Sequence, residues 1–384
     1  MKLIDFKEHK IHYKLRKFFS KPECKAADPK TLKIIFNITY RCNLECIGCC
    51  VNARFSPRLG VITKDELTFK EIVLLLQKIK SYGMKKGLNP YIAFTGGEPF
   101  LRPDFLDILQ YSSSLFGADY VTFETNGTLL SDNHLDIINS CVNNFGVSID
   151  GDEEYHNYWR NPLNRSPVKN PYLAVLDSII RICEHPEMRK KLVITFTPTK
   201  YNLSIIPQEV IKLAAIGVKR FSIHRNMPVG RMYYHRELGP DEKEYLKLVS
   251  TLIDIENELN IDIRLHHSLE HMYRYYMLGE IYAGSPTPCS IKRSSIGIDV
   301  KGYVYFCPWL VSLPFKKGTT KSLLDHGVEL EELLNEINIV SFADCKKKCM
   351  LIEKDHSEFL GNNRSMARAL TEHCFGLKEE RILG

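Results

Sequence analysis

Six short runs rich in β-branched and aromatic residues recur between Lys33 and Ser222: "KIIFNIT" (33–39), "YIAFT" (91–95), "YVTFET" (120–125), "FGVSI" (145–149), "LVITFTP" (192–198) and "KRFSIH" (219–224). Between them lie stretches of helical period. In one, Thr68 and Glu71 have capping-box spacing, Ile72, Leu75, Leu76 and Ile79 form an apolar stripe, and Gly83 is placed to stop the helix. Others run near Phe105–Phe116, Asn133–Cys141, Leu173–Cys183, Pro207–Ile216 and Asp241–Leu259. Strands alternating with helices imply right-handed crossovers and a parallel sheet. Six units are too few for a closed eight-stranded barrel. The expectation is an α/β fold, a partial, TIM-like (β/α)6 barrel, with its chemistry at the C-terminal ends of the strands.

The chain has 384 residues, enough for a second, smaller domain. The character changes near Arg264, so the expected division is an N-terminal extension (1–32), a barrel (33–263) and a small C-terminal domain (264–384). The net charge of +6 comes without a basic block, which argues for a solvated surface and against nucleic acid. No apolar run approaches the roughly 18 residues of a membrane span, and the N-terminus lacks a signal-peptide core. The expected location is the cytoplasm.

In that compartment disulfides are rare, yet the chain has 12 cysteines. Cys141 and Cys183 sit in helical patterns and read as core residues. The others cluster. "YRCNLECIGCC" (40–50) places Cys42, Cys46 and Cys49 as C-x3-C-x2-C just past the first strand, with Cys50 following at once. Three thiolates from one loop can hold three irons of a [4Fe–4S] cluster and leave the fourth iron open. A zinc site with Cys50 as fourth ligand is the alternative; adjacent cysteines point poorly at one tetrahedral ion. After the second strand comes "TGGEP" (95–99), after the third "TNG" (125–127), and after the fourth "SIDG" (148–151).

With these loops following successive strands, residues 33–230 resemble the radical SAM superfamily. The resemblance implies that Cys42, Cys46 and Cys49 hold the cluster and that S-adenosylmethionine chelates the open iron. Gly96, Gly97 and Glu98 would hold its amine, and Ser148, with Arg160 as partner, its carboxylate or ribose. Reductive cleavage would then give a 5′-deoxyadenosyl radical that abstracts a substrate hydrogen. Gly48 stands where the family usually has an aromatic residue near the adenine, so other contacts, such as Thr195 or Phe196, are expected there.

Towards the C-terminus, "CSIKRSSIGIDVKGYVYFC" reads as a hairpin with a thiol near each end, Cys289 and Cys307. Cys345, Cys349 and Cys374 follow. The pattern is similar to the auxiliary-cluster domains called SPASM and Twitch, and implies one auxiliary [4Fe–4S] cluster on Cys289, Cys307, Cys345 and Cys349, with Cys374 in reserve. A zinc ribbon is the alternative.

The implied enzyme is a radical SAM oxidoreductase or maturase served by a reducing partner such as flavodoxin or ferredoxin. It would act oxidatively on a ribosomal peptide. The alternatives are a small-molecule dehydrogenase or cofactor-biosynthesis enzyme and, in another class, a non-catalytic Fe–S or zinc scaffold. Arg225 and Arg231 after the sixth strand could face the mouth, but the reading preferred for each is a surface arginine. Tyr155, His156, Tyr158 and Trp159 read as a polar-aromatic loop, and His266 and His267 stay ambiguous.

Overall fold

The computed structural model describes residues 30–56, 64–161, 163–265, 295–312 and 319–341. Each expected strand is present with its ends shifted by no more than two residues: β1 (Thr31–Thr39), β4 (Asn89–Gly96), β5 (Val121–Thr125), β6 (Phe145–Ser148), β7 (Leu192–Phe196) and β8 (Arg220–Ile223). Two short pieces, β2 (Arg41–Cys42) and β3 (Arg54–Phe55), pair in parallel and close the cysteine loop at its base. A seventh barrel strand, β9 (Asp262–Leu265), pairs in parallel with β8 and straddles the boundary expected at 263/264.

The helices between are α1 (Phe69–Lys86), α2 (Phe105–Phe116), α3 (Asp132–Cys141), α4 (Glu153–Arg160), α5 (Pro171–Glu184), α6 (Pro186–Lys191), α7 (Ile205–Ala215) and α8 (Glu242–Leu259). The strand order β1-β4-β5-β6-β7-β8-β9, parallel throughout, is the curved partial barrel, six strand–helix units plus a closing strand. Leu32, Ile34, Phe36 and Ile38 show why β1 is central: alternate side chains are buried against the helical layer. Burial of each contributes roughly 1.5–3 kcal/mol. The opposite, concave face carries Lys33, Ile35 and Asn37.

The capping box at Thr68 and Glu71 is formed. Gly83 does not end α1, which continues to Lys86 and caps at Gly87 in the left-handed region (φ 64°). Gly83 instead lets α1 pack on Pro90, where a methyl group would meet the ring at 2.7 Å.

The expected C-terminal hairpin is β10 (Ser295–Ile298) and β11 (Val304–Tyr305), antiparallel, turning through Gly302. Its β10 pairs in parallel with β1, so the hairpin extends the barrel sheet to nine strands among the described residues. The next helix among the described residues is α9 (Leu330–Ser341). Lys78 of α1 ties this region to the barrel by donating to the carbonyls of Leu323 (2.8 Å) and Val328 (2.7 Å). Among the described residues no helix is long and apolar enough to cross a membrane.

Lys78→Met removes both donations and keeps the aliphatic stem. Its urea midpoint should fall by the equivalent of roughly 1–3 kcal/mol. Lys85→Met loses only an exposed ion pair with Glu331 and should change little. A Lys78→Met protein as stable as the parent contradicts this role.

Candidate active site

The cysteine loop leaves β1 at the C-terminal end of the barrel. Cys42 is buried, and Cys46 and Cys49 are half-buried. All three pack with Leu44, Val51 and Ala53. Backbone N–H groups already point at two of the sulfurs: Leu44 N donates to Cys42 Sγ (3.4 Å) and Ala53 N to Cys49 Sγ (3.3 Å). Burial pushes the metal-free Cys42 thiol well up and Cys46 up to about 11, the latter against the pull of Arg160 and Arg231. Thiolate ligation must therefore be driven by the metal's own charge.

Cys50 stays near the trio: burial pushes its thiol up to about 12, with Cys49 and Cys46 adding to the shift. It packs against a separate apolar cluster that contains Met227, Val229, Tyr305 and Cys307. Among the described residues, no three His, Cys, Asp or Glu side chains are placed to share one ion. A cluster does not need such convergence, since each thiolate binds a different iron. The three thiols of the loop, one for each of three irons, fit a three-thiolate cluster.

Other segments hold the loop by its backbone. Gly97 N donates to Thr39 O (2.7 Å) and Glu98 N to Arg41 O (2.8 Å). A methyl group at Gly96 or Gly97 would lie 2.1 or 2.0 Å from these same carbonyl oxygens. The paired glycines let the end of β4 lie against the cysteine loop. Glu98 is fully buried. It accepts from Phe100 N (3.1 Å) and Thr125 Oγ1 (2.7 Å) on Oε1, and from Asn126 N (2.8 Å) on Oε2. Burial pushes its carboxyl up to about 7. Asn126 also donates to Asn43 Oδ1 (2.9 Å), so the TNG turn is tied to the loop.

The fourth βα connection departs from expectation. Tyr155, His156, Tyr158 and Trp159 are not a loop but the helix α4, with Tyr155, His156 and Trp159 buried. Asp152 caps it by accepting from Tyr155 N (3.0 Å), with Glu153 and Glu154 in its first turn. The end of α4 runs beside the cysteine loop: Glu45 N donates to Arg160 O (3.1 Å) and Ile47 N to Trp159 O (2.9 Å). Gly48 has no side chain because Trp159 fills that space; a methyl group would sit 2.5 Å from the indole.

Arg160 pairs with Asp150 Oδ2 (2.7 Å) and not with Ser148. Burial opposes the Arg160 charge, but Asp150 and Cys46 more than offset it. Asp150 Oδ1 is buried without a hydrogen-bond partner. Asp150 was not among the expected site residues, although it lies within the SIDG stretch. Ser148 ends β6, opposite Thr195 in register.

Thr195 stands on the concave face, opposite Ser148 in register. Its buried hydroxyl lies beside Glu124 without completing a hydrogen bond. Glu124 is pushed up to about 7 by burial, against Lys33. Lys33 is held below the ordinary lysine range by its surroundings, with Glu124 opposing. His224 is pushed down to about 4 by burial and by Lys33. Asn37 Oδ1 is also buried and unpartnered. These groups give the barrel interior a polar wall. Charged residues within otherwise apolar central strands were the readable sign of it.

Cys307 is buried on the hairpin. Cys289, Cys345, Cys349 and Cys374, like His266 and His267, lie outside the described residues. Arg225 lies over the Tyr245 ring, 5.9 Å from its centroid.

Comparison with known proteins places this geometry. Residues 36–185 match the model of the family described as Radical SAM superfamily. A GTP 3',8-cyclase from Rhodopirellula baltica is 34% identical over 116 residues, 30% of this chain and 30% of that protein. An AdoMet-dependent heme synthase from Methanosarcina barkeri is 25% identical over 233 residues, 60% of each. The chain thus spans less than two thirds of these curated relatives. Among solved structures, anSMEcpe with bound AdoMet superposes with TM-score 0.58 at 16% identity, over 89% of this chain and 100% of that one. Streptococcus suis SuiB bound to precursor peptide SuiA superposes with TM-score 0.54 at 18% identity, over 84% and 70%. Residues 36–185, which carry the cysteine trio and the GGEP, TNG and SIDG turns, are thus similar to the Radical SAM superfamily.

Proposed function

We propose that Cys42, Cys46 and Cys49 hold the cluster that binds S-adenosylmethionine, and that the protein is an enzyme acting oxidatively on a substrate in the barrel. When bound, the pair supplies a carbon-centred radical able to take hydrogen from an unactivated C–H. The observation that carries this reading is the packed three-thiol loop. The chain's own residues bind, orient and exclude water. Gly96, Gly97 and Glu98 would receive the amine. Glu98 Oε2 accepts one hydrogen bond and keeps a second lone pair for it. The Arg160 guanidinium is the cation for the carboxylate, and Ser148 and Asp150 Oδ1 suit ribose hydroxyls. Trp159, beside Gly48, takes over the adenine wall from Thr195, which serves the substrate side instead.

For the substrate, the polar interior argues for a group with hydrogen-bond donors and acceptors. We favour a ribosomal peptide offering a polar side chain, in keeping with the fold shared with peptide-bound SuiB. Action on a small molecule is the second reading, favoured by the match to GTP 3',8-cyclases. We further assign residues 264–384 to a SPASM/Twitch-like domain with one auxiliary cluster on Cys289, Cys307, Cys345 and Cys349, Cys374 in reserve. The buried Cys307 on a hairpin joined to the barrel sheet supports it. The reductant is a flavodoxin or ferredoxin in the cytoplasm.

Anaerobically reconstituted protein with dithionite and S-adenosylmethionine should form 5′-deoxyadenosine, and Cys46→Ala should not. Iron-loaded, reduced wild type that forms none, with or without a peptide or metabolite extract, favours a non-catalytic Fe–S scaffold instead.

Glu124 makes a second test. Its folded-state pKa is raised, so the folded protein keeps a proton that the unfolded chain has lost. Stability therefore falls as pH rises from about 4.5 to about 7, then levels. Glu98 acts in the same direction. Glu124→Gln removes one contribution, so the loss of stability between about pH 5 and about pH 8 should shrink by up to roughly 3 kcal/mol. An unchanged pH slope in urea titrations contradicts a buried, protonatable Glu124.

A further inference from the structure

A segment remote in sequence clamps the cysteine loop. After β8 the chain turns through a short 3-10 helix, Gly230–Tyr234. Gly230 has φ 60° and lies so close to the loop that a methyl group would meet Cys49 O at 2.3 Å. Arg231 N donates to Cys49 O (2.9 Å). The Arg231 side chain continues across the loop. Its Nε donates to Cys46 O (2.7 Å) and one terminal nitrogen to Ala53 O (2.7 Å). Cys49 and Ala53 are joined by their own N–H···S contact, so the guanidinium spans the chord of the loop that presents the thiols. Its other terminal nitrogen is buried and has no hydrogen-bond partner. A buried, charged N–H donor left unpaired in the protein alone marks a place where an anionic acceptor is expected.

We propose that Arg231 is a positioning residue for the cysteine loop and that its unpaired N–H donates to a sulfur of the cluster held there, raising the cluster's reduction potential. The inference rests on the reading that Cys42, Cys46 and Cys49 hold the cluster. Two effects act in one direction. A fixed positive charge stabilises the more negative, reduced cluster, and an N–H···S bond strengthens as charge on sulfur grows. Arg231 also restrains Cys46 and Cys49 through their carbonyls, so cluster and donor keep one geometry.

The test uses the full chain, reconstituted anaerobically with iron and sulfide and without S-adenosylmethionine. The reduced-cluster EPR signal missing from Cys46→Ala belongs to the trio; its redox titration is compared across variants. Arg231→Gln should retain the signal and lower the equilibrium constant for one-electron reduction about tenfold, a shift of about 59 mV. Arg231→Lys keeps the charge and should recover most of that shift while binding less iron, having lost the fork. An Arg231→Gln protein with full iron and an unchanged midpoint overturns the proposal. So does one whose only change is a lower urea midpoint, since that is a purely structural arginine. If Arg231→Gln holds no cluster although the apoprotein's urea midpoint is unchanged, positioning stands, and Arg231→Lys decides the potential. A shift seen only after adding S-adenosylmethionine also overturns it, because the acceptor is then that molecule. If Cys46→Ala lacks no signal, the trio reading itself has failed.

Discussion

The site depends on how backbone carbonyls of an irregular, half-buried loop find donors. A segment without helix or strand cannot satisfy its own polar groups, and leaving them unpaired in an apolar environment is costly. Here the donors come from two directions. Gly97 and Glu98, just past β4, serve Thr39 and Arg41, and Arg231 serves Cys46, Cys49 and Ala53. The loop is therefore held in place by the barrel on which it sits.

That frame decides the electrostatics. Burial pushes the Cys42 and Cys46 thiols up, while Arg160 and Arg231 favour the charged form of Cys46. Asp150 fixes Arg160, and Glu98 bridges β4 and β5 with hydrogen bonds to both oxygens. The end of the barrel is thus prepared for negative charge on sulfur. Deeper inside, Lys33 and Glu124 act on each other, Lys33 also lowers His224, and the three line a polar interior. Chemistry at the rim and recognition below is a natural division for a barrel of parallel strands.

Much of this was legible in the sequence. The six β-branched runs became strands because each packs one face on the helical layer, as the Leu32–Ile38 alternation shows. The cysteine spacing and the turns after successive strands located the rim. What was missed has physical reasons. Strand β9 has four residues and follows directly on a helix cap at Asn260. Helix α4 is eight residues long, too short for its period to declare itself, although Asp152 before two glutamates was a capping signature. Arg231 looked like a surface residue, since nothing local reveals that carbonyls 185 residues away are its partners. Gly48 looked like a missing aromatic; the indole filling its place comes from another element.

The central claim is that the trio leaves one iron open for S-adenosylmethionine. The most direct measurement is electron–nuclear double resonance on the reduced, reconstituted protein with S-adenosylmethionine labelled at the amino nitrogen and the carboxylate oxygen. The account predicts hyperfine couplings from both labels, absent in Cys46→Ala. A cluster that reduces normally and shows neither coupling, with the cofactor present in excess, contradicts it.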